Sequence, residues 1–254
     1  MELITHYAQN YTSNNKPKPF ATPRFYIKLY KIVSDACKIA KANQYTAERW
    51  VYDSFLVGQA LENVGCSIII RGHENLKKLS SPCVFVSNHM STLETFFLPS
   101  IIQPCVQHTF VVKESLLQYP LLGPVLSARS PIAVTRTNPR QDLAKVLEIG
   151  QEKIAQGESL VIFPQGTRKT EVIADDFSSL GAKLAKKANV PLVPISLKTL
   201  AWGFSPITKD LGKISPEIPV QITFGEPIPI ESNNGKEEHQ KSIDFIINTY
   251  KNFA

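Results

Sequence analysis

Short apolar segments alternate with amphipathic helical patterns along most of this chain, and this alternation most constrains its fold. The segments 83–86, 160–163 and 192–197 are apolar at nearly every position and are too short to be typical helices. Strands that are apolar on both faces are typical of parallel sheets covered by helices on each side. The sequence therefore predicts an α/β fold built on a mixed, mostly parallel sheet.

The predicted strands lie at 66–70, 83–86, 109–113, 132–134, 160–163, 192–197 and 220–224. The predicted helices lie at 142–155, 178–188 and 239–253, with another that follows the second strand and ends near Pro99. Of the 254 residues, 43% are hydrophobic and 20% are charged, which is an ordinary globular composition. We expect residues 65–254 to form one domain around a single large core.

Residues 1–64 are predicted to form a separate N-terminal region, with a lead-in over 1–22 that shows no periodic pattern. A first helical pattern then presents one apolar stripe, made of Phe25, Leu29, Ile32, Ala36 and Ile39. Lysines occupy its opposite side, and a second amphipathic helix begins near Thr46. Such a pair can lie on a membrane surface. Alternatively, both helices pack on the main domain and the lysines form a solvated face.

The charge balance favours an anionic partner. The chain has 28 Lys and Arg against 22 Asp and Glu, a net charge of +6, and most of this excess lies within residues 1–50. A phosphate-bearing substrate or a membrane surface fits this balance. Nucleic acid is not expected, because no motif that reads it is present.

The cysteines and the hydropathy pattern bound the cellular setting. Four scattered cysteines show neither a CxxC motif nor a metal-ligand spacing, so we predict no metal site and expect a reduced, cytosolic environment. No run of about 18 apolar residues indicates a transmembrane span. Residues 1–6 lack the basic and apolar pattern of a secretory signal, so we expect no such leader.

A histidine and a carboxylate, His89 and Glu94, follow the apolar segment 83–86 closely. Within one regular helix their spacing would place them about 140° apart, so they can meet only if His89 lies in a turn between strand and helix. Ser91 and Glu94 form a capping-box pattern that supports such a turn. Glu94 is therefore either the partner of His89 or only a cap of the following helix.

Two later polar motifs also follow predicted strands. After 160–163 come Gln165, Gly166, Thr167 and Arg168, where a glycine can expose backbone N–H groups to an anion and the arginine can bind phosphate in a bidentate manner. Arg136 closes the segment 130–136 and is either a second anion ligand or a surface arginine. Neither a Walker loop nor a GxGxxG motif is present.

The ordered set of motifs resembles the glycerolipid acyltransferase family, which includes the 1-acylglycerol-3-phosphate acyltransferases. The resemblance covers about residues 65–230 and rests on Asn88-His89-x4-Glu94, the strand ending in Arg136, Phe163-Pro164-Gln165-Gly166-Thr167-Arg168 and Val190-Pro191-Leu192-Val193-Pro194. It implies an acyltransferase domain over 65–254. It also implies transfer of a fatty acyl chain from a thioester of coenzyme A or acyl carrier protein to a lysolipid hydroxyl, without any other cofactor.

The same resemblance implies a role for each matching residue. His89 is the general base, and Glu94 holds its imidazole in the required tautomer. Arg136 and Arg168 bind the acceptor's phosphate. The pocket for that phosphate is shaped by Gln165, Gly166 and Thr167. Two positions depart from the usual pattern, since Glu94 replaces an aspartate and Gln165 replaces a glutamate.

The acceptor implied is a lysophospholipid, 1-acylglycerol-3-phosphate, and the protein is expected at the cytoplasmic face of a membrane as a peripheral protein. The helical pattern around Phe25–Ile39 is the expected means of docking. Two alternatives stay open. The acceptor is a different lysolipid, such as an amino-acid lipid or a saccharolipid, or the chain is a non-catalytic lipid-binding relative.

Overall fold

The computed structural model describes residues 5–205 and 210–253. Residues 1–4, which belong to the segment where no secretory signal is expected, lie outside the described residues. The described strands are β1 (Tyr11–Thr12), β2 (Ile68–Arg71), β3 (Val84–Ser87), β4 (His108–Lys113), β5 (Ile132–Val134), β6 (Ser159–Ile162), β7 (Leu192–Lys198) and β8 (Val220–Phe224). They form one sheet in the order β1-β2-β8-β7-β3-β6-β4-β5.

Most neighbouring strands of this sheet run parallel. The parallel pairs are β2 with β8, β7 with β3, β3 with β6, β6 with β4, and β4 with β5. Antiparallel pairing occurs between β1 and β2 and between β7 and β8. The predicted mixed, mostly parallel sheet is confirmed. The lead-in over 1–22, which shows no periodic pattern in the sequence, contains β1, because a two-residue strand is too short to show a period.

The described helices are α1 (Ala21–Lys41), α2 (Ala47–Asn63), α3 (Leu93–Phe97), α4 (Pro99–Ile102), α5 (Leu122–Ser127), α6 (Pro139–Ala155), α7 (Leu180–Ala188) and α8 (Lys236–Lys251). The helix that was predicted to end near Pro99 is followed at once by α4, so helical structure continues to Ile102. Proline is tolerated there because it occupies the first turn of α4, where its missing N–H is not needed.

Helices cover both faces of the sheet. Phe85 and Val161 pack in a cluster that includes residues of α1 and α2. Their sequence neighbours Val84 and Ile162 pack in a second cluster with residues of α6, α7 and α8. Successive residues of β3 and β6 thus face opposite layers, and both layers are apolar. This arrangement explains why the central strands are apolar at nearly every position.

The apolar stripe of α1 is buried inside the protein. Phe25, Leu29, Ile32 and Ala36 belong to the cluster that covers one face of the sheet, and the Phe25 ring lies 5.0 Å from that of Trp202. The expectation that this stripe contacts a membrane was therefore wrong. An amphipathic pattern does not reveal which apolar partner will cover it. The division at residue 64 stays a prediction, although both N-terminal helices share a core with the sheet.

The parallel strands bring the predicted motifs to one edge. The strands β3, β5 and β6 run in the same direction, so the residues that follow their carboxyl ends lie along a single side of the sheet. His89 follows β3, Arg136 follows β5, and Gln165 to Arg168 follow β6. In the described parts of the chain, no helix is long and apolar enough to cross a membrane.

Candidate active site

His89 lies in the turn between β3 and α3, and its ring contacts Glu94. The His89 Nδ1 atom is 2.5 Å from Glu94 Oε2. The other carboxylate oxygen, Oε1, accepts hydrogen bonds from the backbone N–H groups of Met90 (3.0 Å) and Ser91 (2.8 Å). Glu94 therefore closes the start of the helix and also contacts the histidine, with one oxygen for each task. The two interpretations of Glu94 are compatible.

The turn that carries His89 is attached to the neighbouring strand β7. Asn88 is fully buried, and its side chain donates to the Leu197 carbonyl and accepts from the Leu197 N–H, both at 2.8 Å. The hydroxyl of Ser87 donates to the Ile195 carbonyl at 2.8 Å. These bonds satisfy buried polar groups, and they also fix the position at which the histidine leaves the sheet.

Gln165 contacts the backbone of His89, which the sequence did not predict. Its Oε1 atom accepts from the His89 N–H at 2.7 Å. The His89 carbonyl accepts from Lys169 N–H at 2.8 Å, and the Phe163 ring stacks on the imidazole at 4.3 Å between centroids. The loop after β6 thus holds His89 from several sides. Because an acceptor oxygen is what this contact needs, glutamine serves at a position where the related family usually has glutamate.

Arg168 already has partners in the structure. Its guanidinium donates to the Thr92 hydroxyl and to the Asp210 carboxylate, and it lies over the Phe204 ring at 5.9 Å. Asp210 was not identified from the sequence. It lies 42 residues beyond Arg168 and belongs to no motif. An anion that binds Arg168 must therefore share the guanidinium with the Asp210 carboxylate or displace that carboxylate from it.

Arg136 is presented by an unusual backbone conformation. Its φ angle is 62°, in the left-handed region that few residues other than glycine adopt. The Asp142 carboxylate supports this conformation by accepting from the backbone N–H groups of Arg136 (2.7 Å) and Thr135 (2.9 Å). Asp142 was missed in the sequence, where its position in the first turn of α6 was the only available signal.

The guanidinium of Arg136 is suited to an anion. Partial burial, together with the nearby positive charge of Arg168, lowers the pKa of Arg136. Among the described residues, no carboxylate forms an ion pair with this guanidinium. Two arginines that raise the local positive potential, one of them without a counter-ion, are a typical phosphate-binding arrangement.

Gly166 and Thr167 lie between Gln165 and Arg168 in the loop after β6. The φ angle of Gly166 is 70°, and an added Cβ atom would meet nothing within 4 Å, so the backbone conformation and not the available space favours glycine. The Gly166 N–H is used by the Phe163 carbonyl at 3.1 Å. Thr167 is exposed. Its N–H and that of Arg168 make no hydrogen bond within the described residues, so both can serve an incoming oxyanion.

An open depression of about 410 Å³ adjoins Arg168, and Lys169 and Phe204 are also in its lining. In the described part of the chain, no group of three or more His, Cys, Asp and Glu side chains is arranged to hold a metal ion.

The fold and the site together define an α/β protein with a histidine–carboxylate pair and arginines at the carboxyl ends of parallel strands. This is an arrangement that general-base enzymes use.

Comparison with known proteins identifies the family. The model of the family described as Acyltransferase matches residues 67–198, which is more than half of the chain. The chain belongs to the acyltransferase family.

Three similar proteins support this conclusion. A 1-acyl-sn-glycerol-3-phosphate acyltransferase of Pseudomonas aeruginosa is 39% identical over 127 residues, which are 50% of this chain and 48% of that protein. A probable 1-acyl-sn-glycerol-3-phosphate acyltransferase of Mycoplasma pneumoniae is 31% identical over 186 residues, 70% of this chain and 68% of that protein. The chloroplastic BAT2 enzyme of Brassica napus is 34% identical over 128 residues, 50% of this chain and 36% of that protein. The chain thus spans about half or less of the Pseudomonas and Brassica proteins.

A solved structure has the same fold. The crystal structure of the 1-acyl-sn-glycerophosphate acyltransferase PlsC from Thermotoga maritima superposes with a TM-score of 0.70. The match covers 91% of this chain and 93% of that one, at 16% sequence identity. Such a level of identity supports the shared fold, including the covered, mostly parallel sheet.

The contact between Gln165 and the His89 backbone leads to a stability prediction. Gln165→Ala removes the acceptor of a partly buried N–H and should lower the free energy of unfolding by about 1–3 kcal/mol. Gln165→Glu keeps an acceptor oxygen and should cost less. Urea unfolding measures both, with the exposed Gln141→Ala as a control that should change little. Equal losses in the Ala and Glu variants would contradict the assigned contact.

Proposed function

We propose that this protein transfers a fatty acyl group from an acyl thioester to the free hydroxyl of 1-acylglycerol-3-phosphate. The observation that carries the proposal is the 2.5 Å contact between His89 Nδ1 and Glu94 Oε2. At the same edge of the sheet, Arg136 has a guanidinium that forms no ion pair among the described residues. The Pseudomonas and Mycoplasma relatives are named for this acceptor, which is consistent with the proposal. The thioester of coenzyme A or of acyl carrier protein is the co-substrate.

The histidine acts as a general base through its other nitrogen. Glu94 holds the proton on Nδ1, which leaves the Nε2 lone pair to accept the proton of the acceptor hydroxyl. The acceptor oxygen then bonds to the thioester carbonyl carbon, the carbon–sulfur bond breaks, and the proton passes from Nε2 to the leaving thiolate. General-base help of this kind contributes about 10²–10⁴ in rate.

Backbone N–H groups stabilise the charge that develops on the carbonyl oxygen. The N–H groups of Met90, Ser91, Gly166 and Lys169 are already used within the protein. The N–H groups of Thr167 and Arg168, directly after Gly166, make no hydrogen bond among the described residues, and we assign the oxyanion site to them. Donors that are fixed before the reaction begins need no reorganisation as the charge forms.

The acceptor phosphate binds mainly to Arg136. This guanidinium has no ion-pair partner among the described side chains, whereas Arg168 is engaged by Asp210 and Thr92. Arg168 contributes positive potential and a second contact once the phosphate competes with Asp210. Gln165 supports the pocket indirectly, through the His89 backbone.

A membrane surface is the partner that supplies the lipid acceptor, and the protein associates with its cytoplasmic face peripherally. The buried stripe of α1 is not available for docking. The same helix, however, exposes Ile27 (60%) and Tyr30 (62%) beside the basic residues Arg24, Lys28 and Lys31. Exposed apolar side chains flanked by lysines fit the interface of an anionic bilayer.

Phe204, at the depression beside Arg168, is also exposed.

The first prediction from the proposed function concerns acyl transfer itself. The wild-type protein should acylate 1-acylglycerol-3-phosphate from an acyl thioester, and His89→Ala should lower kcat about 10²–10⁴-fold because the base is lost. Release of free thiol measures the rate, and circular dichroism checks folding. His239→Ala, at a histidine of α8 remote from the site in sequence, serves as the matched control. A fully active His89→Ala variant would refute the mechanism.

A panel of acceptors separates the alternatives. Turnover of an amino-acid lysolipid or a lysosaccharolipid, but not of 1-acylglycerol-3-phosphate, would change the acceptor class. Lipid binding by the wild type without turnover of any acceptor would indicate a non-catalytic relative. Parallel assays with acyl-coenzyme A and with acyl carrier protein identify the donor.

The second prediction concerns the phosphate. Arg136→Ala should raise KM for 1-acylglycerol-3-phosphate about tenfold or more, because a charge-assisted hydrogen bond is lost. KM for a monoacylglycerol that lacks the phosphate should not change. Arg71→Ala, which removes an exposed arginine at the end of β2, is the control. Equal effects of Arg136→Ala on both acceptors would exclude the phosphate contact.

The third prediction concerns docking. Tyr30→Glu should reduce binding to vesicles that contain anionic phospholipid about tenfold, because it removes apolar contact and adds a negative charge. Tyr52→Glu makes the same change on α2 and should have little effect. Vesicle sedimentation measures both variants. Unchanged binding of Tyr30→Glu would show that α1 does not face the lipid.

A further inference from the structure

Thr199 contacts the histidine–carboxylate pair although it belongs to none of the sequence motifs. It follows β7 directly, is 1% exposed, and donates its hydroxyl proton to Glu94 Oε1. We infer that Thr199 is a positioning residue, which fixes the Glu94 carboxylate by its Oε1 atom while Oε2 contacts His89. This inference concerns the reaction proposed above and rests on that function for its kinetic consequences.

The contacts of Glu94 are divided between its two oxygens. Oε1 accepts from the N–H groups of Met90 and Ser91 and from the Thr199 hydroxyl. Oε2 contacts His89 Nδ1. A buried carboxylate is stable in its charged form only when donors replace the lost water. Three donors on Oε1 supply this replacement and leave Oε2 directed at the imidazole.

Of the three donors to Glu94 Oε1, Thr199 is the one that uses its side chain. It comes from a different segment of the chain than the two backbone donors. Met90 and Ser91 come from the turn that also carries His89, so they move with it. Thr199 comes from the strand next to β3 and is 105 residues away in the chain. Its hydroxyl therefore binds Oε1 from a second segment of the chain. A backbone cap alone does not provide this restraint.

The sheet places Thr199 where it can act. Ser87 of β3 lies beside Ile195 of β7 in the parallel register, and Asn88 binds both backbone groups of Leu197. Two residues further along, Thr199 reaches Glu94. The Thr199 carbonyl accepts from the Trp202 N–H at 3.1 Å, which fixes the turn that follows. The position of the hydroxyl is thus set by several bonds.

Among the described residues, Arg168, Lys169 and Asp210 belong to the segments that contact the His89 turn. Arg168 and Asp210 both contact Thr92, just before α3, and Lys169 binds the His89 carbonyl through its backbone N–H. None of them contacts the Glu94 carboxylate. Loss of the Thr199 hydroxyl therefore changes the carboxylate directly. With one donor fewer on Oε1, more of the negative charge of the carboxylate faces His89 Nδ1, so the acid limb of the pH–rate profile should move to higher pH.

The test compares Thr199→Val with Thr199→Ser. Valine has the shape of threonine without the hydroxyl, and serine keeps the hydroxyl. In acyl transfer, Thr199→Val should lower kcat about tenfold with little change in KM, as expected for one lost hydrogen bond to a charged group. The acid limb of its kcat/KM profile should move to higher pH. Thr199→Ser should restore both values toward those of the wild type.

Thr109→Val is the matched control. Thr109 is also 1% exposed and also lies on a strand of this sheet, but its hydroxyl donates to the Arg129 carbonyl at 2.9 Å. Its replacement by valine removes a buried hydroxyl of the same kind without touching the pair. Thr109→Val should leave the pH profile unchanged. An equal shift of the acid limb in Thr109→Val and Thr199→Val would show a general structural effect and overturn the inference.

A second measurement needs no substrate. The imidazole of His89 can be titrated by NMR, with its signals assigned by their loss in His89→Ala. The midpoint should lie at higher pH in Thr199→Val than in the wild type and Thr199→Ser. An unchanged midpoint in Thr199→Val overturns the positioning role. A shifted midpoint in a protein that acylates no acceptor supports the positioning role while the proposed function fails.

Folding of the variants is checked by urea unfolding. If Thr199→Val does not fold, Thr199→Cys replaces it, because a thiol is a weaker donor of similar size. Its His89 midpoint should then lie above that of Thr199→Ser. Equal midpoints for the cysteine and serine variants would overturn the inference.

Discussion

The buried carboxylate of Glu94 is the group on which the rest of the site depends. It accepts hydrogen bonds from two backbone N–H groups of the turn and from the hydroxyl of Thr199, which follows β7. It also contacts His89 Nδ1. An ionised carboxylate at this depth would be costly without these partners. The need to satisfy it therefore fixes the turn, the start of α3 and the orientation of the imidazole together. The geometry of the histidine–carboxylate pair and the stability of the turn therefore have a common physical cause.

The parallel sheet explains how distant motifs meet. Residues that follow β3, β5 and β6 lie at one edge because these strands run in the same direction. Hydrophobic patterning predicted the main strands, and each polar motif follows one of them in the sequence. The spacing of His89 and Glu94 indicated that they can meet only if His89 lies in a turn, since two residues five positions apart do not share a helix face.

The sequence did not reveal the contacts that depend on side-chain packing between remote segments. Gln165 on the His89 backbone, Asp210 on Arg168 and Thr199 on Glu94 each join residues more than 40 positions apart. A periodic pattern in the sequence does not indicate which remote side chains will contact each other. The apolar stripe of α1 shows a related limit. Its spacing predicted a one-sided helix, but burial in a protein core and contact with lipid require the same spacing.

The His89 turn is bound to residues that lie far away in the sequence, and this separation has a consequence for how the protein folds. Asn88 is bound to a residue 109 positions further along the chain, and Glu94 is bound to one 105 positions further along. Closing loops of this length is slow compared with forming local helices, and it cannot happen before β7 has been synthesised. A nascent chain that carries the whole histidine motif therefore still lacks a formed site. Functional competence arrives late in synthesis, with the strand that supplies Leu197 and Thr199.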